Sequence, residues 1–307
     1  MIQHAGTQRE IGRVTVLTNP MAGHGNAPHA AERAVARFQE LGIDVVEIVG
    51  RDATHARQLV DEAVAAGTDA LVVVGGDGVI RLALQSLARK QSPLGIVPAG
   101  TGNDHAREYG IPVGDPVAAV DIIAAGWTES ADLGHIRSAD GASTWFGTVA
   151  ATGFDSLVSD RVNRMSWPHG RMRYNLAMVA ELSRLRPLPF RLVLDGDREI
   201  VADLTLAAIG ITRSYGGGMQ ICPGADHSDG LLDITMVAAG SRFTLIRLFP
   251  TVFKGTHVNL DEVTTARART VTISSPGINA YADGDFVGPL PAEITAVPRA
   301  VQFIVRP

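Results

Sequence analysis

The chain has 307 residues, 46% of them hydrophobic, and 32 acidic against 27 basic side chains give a formal net charge of −5. That length and apolar content suffice for a substantial core and two domains, which excludes a disordered chain, and the acidic balance excludes nucleic acid as the main partner. No apolar run approaches the ~20 residues of a membrane-spanning helix, Met1 to Gly12 lacks the basic start and apolar stretch of a secretory signal, and the single cysteine, Cys222, can form neither an internal disulfide nor a thiolate zinc site, so a cytoplasmic protein is expected.

In chain order, Val14-Thr15-Val16-Leu17 reads as a buried strand. Asn26 is placed to cap a helix with Pro28 in its first turn, apolar positions at Val35, Phe38 and Leu41, and Gly42 just past its end. Val45 to Val49 is the next strand, and Asp52 caps a helix that puts Ala56, Leu59, Val60, Ala63 and Val64 on one face before Gly67 stops it. Leu71 to Val74, a helix from about Val79 to Ala88, Leu94 to Val97 and a helix over Val117 to Ala125 continue the alternation. This pattern predicts a Rossmann-like α/β domain over residues 1–135, with a parallel sheet and ligands at the carboxyl ends of its strands.

Beyond residue 135 the pattern turns to strands: Thr144 to Ala151, Phe190 to Leu194, Ile200 to Ile211, Leu232 to Val237, Thr270 to Ser274, Asn279 to Ala282 and Val301 to Val305. Gly and Asp turns such as Asp195-Gly196-Asp197 separate them, and two helices interrupt, over Tyr174 to Leu185 and Arg242 to Phe253. Residues 136–307 are therefore expected to form a mostly antiparallel, sandwich-like β domain. Its last strand is a candidate to return to the first domain.

Two glycine-rich turns stand at strand ends, Gly75-Gly76-Asp77-Gly78 and Gly100-Thr101-Gly102-Asn103-Asp104. Each joins close backbone approach to a carboxylate, which suits a metal-bound polyphosphate. Lysine occurs only at Lys90 and Lys254, neither after a glycine loop, which excludes a Walker A site. Gly23-His24-Gly25-Asn26-Ala27-Pro28 has Pro28 where a dinucleotide fingerprint needs its third glycine, and Gly100 to His105 ends in His105, so a redox dinucleotide is not expected. His24 and His105, beside these turns, are candidates to touch phosphate or ribose, with a surface or packing role the stronger reading.

Asn19-Pro20-Met21-Ala22-Gly23, Gly75 to Gly78, Pro98 to Asp104, Pro223 to Asp233 and Tyr281-Ala282-Asp283-Gly284-Asp285 together resemble, in order and over nearly the whole chain, the diacylglycerol kinase catalytic family of lipid kinases. The overall texture is similar to the soluble actinobacterial enzymes. The resemblance implies an ATP- and Mg²⁺-dependent kinase that phosphorylates the hydroxyl of diacylglycerol to phosphatidic acid. It puts Asn19, Pro20, Met21, Ala22, Gly23, Gly75, Gly76, Asp77, Gly78, Val79, Thr101, Gly102, Asn103 and Asp104 on the nucleotide, with Arg51 a further candidate. Asp77 and Asp104 are typed to orient Mg²⁺ through water. It puts a second, structural Mg²⁺ on Asp226, Asp229 and the Leu231 carbonyl, and makes Asp283 the general base; a hairpin-turn role for Asp283-Gly284 explains the local sequence equally well.

The chain departs from the family's usual residues at Val79, where a Thr is common, at Gly50-Arg51-Asp52, and at Asp285, where Glu is usual. Arg161, Arg164, Arg171, Arg173, Arg184, Arg186 and Arg191, opposed within their own segment only by Glu181 and accompanied by Trp167 and His169, form a basic stretch suited to transient contact with an anionic membrane surface or to a solvated helix face. The alternatives are a NAD kinase-like phosphotransferase, a kinase of ceramide, sphingosine or phosphatidylglycerol, and a non-catalytic nucleotide-binding regulator; a homodimer is possible in each case.

Overall fold

A computed structural model describes residues 6–19, 26–165, 176, 180–181, 187–240 and 242–307. It divides into two compact units, Met1–Leu133 with Val297–Pro307, and Gly134–Ala296.

The first unit carries the short strand β1 (Thr7–Gln8), β2 (Arg13–Thr18), β3 (Asp44–Ile48), β4 (Ala70–Gly75) and β5 (Leu94–Pro98), with helices α1 (Ala27–Glu40), α2 (Ala53–Ala65), α3 (Asp77–Leu87), α4 (Asp104–Glu108) and α5 (Pro116–Ala125). Its parallel sheet runs β3-β2-β4-β5. The order follows from the residues. Leu71 to Val74 are wholly buried, as an interior parallel strand covered on both faces requires, whereas β3 at the edge leaves Val46 exposed, as is Val49 just past its end.

Asp52 caps α2 by accepting from the His55 amide at 2.8 Å, and Asp115 caps α5 by accepting from the Ala118 amide at 3.1 Å. Asn26 precedes α1, but its side chain makes no capping bond. The buried face of α1 is Ala27, Ala30, Ala31, Ala34 and Phe38, with Leu41 exposed at the C-cap. Small side chains let the helix lie close on its neighbours, so alanines rather than the larger Val35 and Leu41 line the contact. α3 starts at Asp77, two residues earlier than its apolar pattern suggests.

Strand β6 (Trp127–Ser138) and the last strand contribute one end to each unit. The second unit continues with β7 (Ser143–Phe146), β8 (Val149–Gly153), helix α6 (Phe154–Arg164), β9 (Leu188–Leu194), β10 (Arg198–Gly210), β11 (Leu232–Ala238), a helix over Arg242–Val252, β12 (Val263–Ala268), β13 (Thr270–Ser274), β14 (Asn279–Ala282), β15 (Asp285–Pro289) and β16 (Ala292–Ile304). These strands pair antiparallel. The first half of β10 pairs with β9; past a register shift between Leu204 and Leu206 the second half runs between β8 and β11. Thirteen residues long, β10 thus serves three partners, and its irregularity lies in the ladder with β11. Inward-facing Phe146, Phe190, Leu192, Ile209, Val271, Ile273 and Ile294 form the main core. A second cluster around Cys222 and Val237 packs Leu248 and Val252 of the helix.

The run Thr144 to Ala151 is not one strand but β7 and β8, parted at Gly147-Thr148. Strands β6, β12 and β15 and helix α6 are additions to the sequence reading. The helix expected over Tyr174 to Leu185 lies largely outside the described residues. The C-terminal strand's far end pairs parallel to β5 in the first unit, Phe303 against Leu94.

Candidate active site

Because β4 and β5 are adjacent and in register, with Gly75 opposite Pro98, their two following turns leave the same end of the sheet side by side. The turns touch backbone to backbone. A Cβ on Gly100 would stand 2.4 Å from the Cα of Gly76, closer than real contacts allow. Asn103 sits in the left-handed region at φ +56°, and its side chain clamps the Gly100 peptide: Oδ1 accepts from the Gly100 amide at 3.0 Å and Nδ2 donates to the Gly100 carbonyl at 2.9 Å. The loop is thus fixed by its own side chain before any ligand arrives.

Two carboxylates face the turn. Asp77 Oδ1 accepts from the His105 amide at 3.2 Å and lies 3.1 Å from the His105 ring Nδ1. Burial pushes the Asp77 carboxyl up, but the His105 hydrogen bonds and charge outweigh it and leave the group at about 2. The other oxygen, Oδ2, points at Gly102, where a Cβ would stand 2.7 Å from it and 3.6 Å from Asp104 Oδ2. Glycine therefore keeps open the spot that both carboxylates border. Asp104 is buried; its Oδ1 is 3.4 Å from Arg107, which also donates to the Gly102 carbonyl.

The structure thus gathers Gly75, Gly76, Asp77, Gly78, Thr101, Gly102, Asn103 and Asp104 in one place, with Asn19 at the end of β2, its amide donating to the Val74 carbonyl at 3.4 Å. Val79 is buried and its amide bonds the Gly76 carbonyl at 3.1 Å. Arg51 is exposed between β3 and α2. Pro20, Met21, Ala22 and Gly23 lie outside the described residues.

In the second unit Asp283 occupies the β14–β15 turn at φ +49°, followed by Gly284 at +84°, the paired positive angles of a tight two-residue hairpin. Its carboxylate is tied to the gap between β7 and β8. Oδ2 accepts from the Gly147 amide at 2.9 Å, and Oδ1 from the Thr148 amide at 2.8 Å and hydroxyl at 2.6 Å. One strand earlier in the same hairpin, Tyr281 donates to Asp160 of α6 at 2.6 Å, and Asn279 donates to the same carboxylate at 3.0 Å.

In the loop before β11, Asp226 Oδ1 accepts from the Ser228 amide at 3.0 Å and hydroxyl at 2.6 Å, and Asp229 Oδ1 from the Leu231 amide at 2.9 Å. Arg267 pairs with Asp229 and, at 3.3 Å, with Asp233. Burial first and the Asp226 charge second push the Asp233 carboxyl up to about 6. Among the described residues no three His, Cys, Asp or Glu side chains converge as a metal cluster; the sequence-named set is two carboxylates and a carbonyl.

Residues 13–136 match the diacylglycerol kinase catalytic domain, and residues 148–305 match the YegS C-terminal NAD kinase beta sandwich-like domain. The chain is 68% identical to a diacylglycerol kinase of Mycobacterium tuberculosis (strain H37Rv) over 300 residues, covering 98% of this chain and 97% of the relative. It belongs to the diacylglycerol kinase family of lipid kinases. A diacylglycerol kinase of Bacillus subtilis (strain 168) is 26% identical, covering 95% of this chain and 96% of that one. Among solved structures, a diacylglycerol kinase from Bacillus anthracis shares the fold with a TM-score of 0.73 at 19% identity, covering 98% and 99% of the two chains. An NAD kinase from Archaeoglobus fulgidus in complex with ATP aligns less closely, with a TM-score of 0.53 at 14% identity over 95% and 93%.

For a member of the diacylglycerol kinase family, some contacts of the candidate residues were not foreseen. His105 is wholly buried, a packing position, but its bond to Asp77 was not read; in the second unit Gly147 and Thr148 hold Asp283. A signal for the last two existed, since Gly-Thr interrupts an otherwise apolar run. The basic stretch is only partly described: Arg161 pairs with Glu181 at 2.5 Å and Arg191 with Glu199 at 2.5 Å, so a glutamate outside the stretch also opposes it. Trp167, His169, Arg171, Arg173, Arg184 and Arg186 lie outside the described residues. No helix among the described residues is long and apolar enough to cross a membrane.

Proposed function

We propose that this chain transfers the γ-phosphoryl group of ATP to the free hydroxyl of diacylglycerol, giving phosphatidic acid and ADP. The observation that carries this reading is the 68% identity to a diacylglycerol kinase across 98% of the chain, so that both the turns and Asp283 fall within the shared sequence.

The phosphates lie against the β4–α3 and β5–α4 turns, where paired glycines remove the Cβ atoms that would hold a ligand off the backbone. Asp283 accepts the proton of the lipid hydroxyl as its oxygen bonds to phosphorus and the bond to ADP breaks. Its three hydrogen bonds orient the carboxylate for that transfer. Oxygen donors suit Mg²⁺, which keeps much of its water, and Asp77 Oδ2 and Asp104 Oδ2 border a space that only glycine leaves open. When bound there, Mg²⁺ neutralises phosphate charge. Asp226, Asp229 and the Leu231 carbonyl are assigned a second cation; adding Mg²⁺ to a chelated sample is expected to raise the melting temperature, and removing Asp229 to abolish that gain.

Because diacylglycerol resides in a bilayer, the chain docks transiently on the membrane surface. Co-sedimentation with vesicles checks this: binding that rises with anionic lipid and falls with salt supports it, and indifference to both counts against the arginine stretch.

The decisive assay incubates the purified chain with radiolabelled ATP, Mg²⁺ and mixed micelles of diacylglycerol, ceramide, sphingosine or phosphatidylglycerol, with NAD in a parallel tube. Label in phosphatidic acid is expected. Label in another lipid or only in NADP reassigns the acceptor, and ATP binding with no transfer at all makes the chain a nucleotide-binding regulator.

A further inference from the structure

We propose that His105 is a positioning residue for Asp77, fixing which of its oxygens faces the bound MgATP; the inference rests on the nucleotide assignment above. The imidazole is 0% exposed. Burying a polar ring costs free energy that an apolar ring of similar size avoids, so a buried histidine is expected to earn its place through a hydrogen bond.

Here two donors of one residue, the amide and ring Nδ1, meet the same atom, Asp77 Oδ1, at 3.2 and 3.1 Å. Such a grip holds the carboxylate against rotation about its last bond. With Oδ1 turned toward α4, Oδ2 is directed at the space over Gly102 that Asp104 Oδ2 also borders. The ring itself has little freedom: Phe303 of the returning C-terminal strand lies 6.4 Å away, centroid to centroid, and is in turn stacked on Tyr109 at 4.0 Å. Turn, helix α4 and terminal strand thus converge on one carboxylate. A phenylalanine could fill the same volume but would leave only the residue-105 amide on Asp77 Oδ1, a single donor about which the carboxylate can turn, so His105 acts on how Asp77 meets the magnesium-bearing nucleotide rather than on the fold.

The test is ATP binding by calorimetry to the full chain, in EDTA and in Mg²⁺, for wild type, His105→Phe and His105→Asn, each with its melting temperature. Wild type is expected to gain affinity with Mg²⁺. His105→Phe should bind ATP in EDTA as wild type does and lose about tenfold or more of the Mg²⁺-dependent gain, the worth of a hydrogen bond to a charged group. His105→Asn carries an N–H close to the place of Nδ1 and should stay within about threefold of wild type. A full Mg²⁺ gain in His105→Phe overturns the proposal. So does an equal loss in both variants with lowered melting temperatures, which is the signature of packing alone. Wild type that binds no ATP under either condition refutes the nucleotide assignment itself, a result distinct from either of these.

Discussion

Asp195-Gly196, between β9 and β10, and Asp283-Gly284, between β14 and β15, take nearly the same backbone angles, +52° and +81° against +49° and +84°. Each aspartate accepts from two consecutive amides of a distant segment and meets the threonine hydroxyl there. For Asp195 these are the Arg269 amide at 2.8 Å, the Thr270 amide at 2.9 Å and the Thr270 hydroxyl at 3.4 Å. For Asp283 they are Gly147, Thr148 and the Thr148 hydroxyl, at 2.9, 2.8 and 2.6 Å. The hairpins differ in two respects: Asp195 is exposed and gathers its donors on one oxygen, whereas Asp283 is half-buried and divides them between two. An Asp-Gly turn with tethered carboxylate is a folding device in both places. Under the proposed function, what sets the second one apart is where its carboxylate stands, tied into the gap between β7 and β8, and not the turn itself.

The largest expected difference between them is catalytic. Asp283→Asn keeps a residue that tolerates positive φ but cannot accept the hydroxyl proton, so turnover should fall by roughly 10² to 10⁴ while ATP affinity holds. The matched Asp195→Asn should leave turnover unchanged. Steady-state kinetics with calorimetric ATP binding check both, and wild-type turnover in a folded Asp283→Asn protein would remove the base from the mechanism.

Thr148→Val sharpens the comparison at lower amplitude. It removes the 2.6 Å hydroxyl bond while the amides of Gly147 and Thr148 remain on the carboxylate. A drop of about tenfold in kcat, at constant ATP affinity, is expected from losing one hydrogen bond to a charged group. Thr270→Val, whose hydroxyl is the more distant 3.4 Å from Asp195, should not alter kcat. Equal effects of the two substitutions on kcat would mean that Asp283 is no more catalytic than its twin.

These twins also show what a sequence can and cannot disclose. The α/β order of the first unit was legible because Leu71 to Val74 is long and uniformly apolar, Asp52 precedes a clear helical face, and Gly42 and Gly67 mark ends at positive φ. The motifs singled out the two glycine turns, which the structure sets side by side, and Asp283. On α1 the expected Phe38 is buried, but the alanines that make the rest of the contact face were not read, because alanine carries little periodic signal. Asn26 failed as a cap because its backbone is already helical, at φ −79° and ψ −17°, where a capping residue such as Asp52 is extended. His105 on Asp77, and Thr148 on Asp283 across 135 positions, are long-range pairings, and no local pattern encodes them. Asp195-Gly196 and Asp283-Gly284 are locally indistinguishable for the same reason.

The smallest expected effect separates the twins by stability in acid. The Thr270 amide first, helped by the Arg269 amide and the Thr270 hydroxyl, holds the Asp195 carboxyl below its ordinary value against the opposing effect of burial. A lowered folded-state value means that the ionised form stabilises the fold above the unfolded-chain value near 3.8, and that this contribution is lost as pH falls through the folded value. Asp195→Asn removes the titrating group. At pH 7 it should lower stability by no more than about 1 kcal/mol, since an exposed carboxylate is well screened, and the gap from wild type should narrow as pH is brought below about 4. Urea unfolding at pH 7 and pH 3 measures this directly. A gap that stays constant with pH would show that the Asp195 amide bonds work through shape alone, leaving charge out of the turn that most resembles the proposed catalytic one.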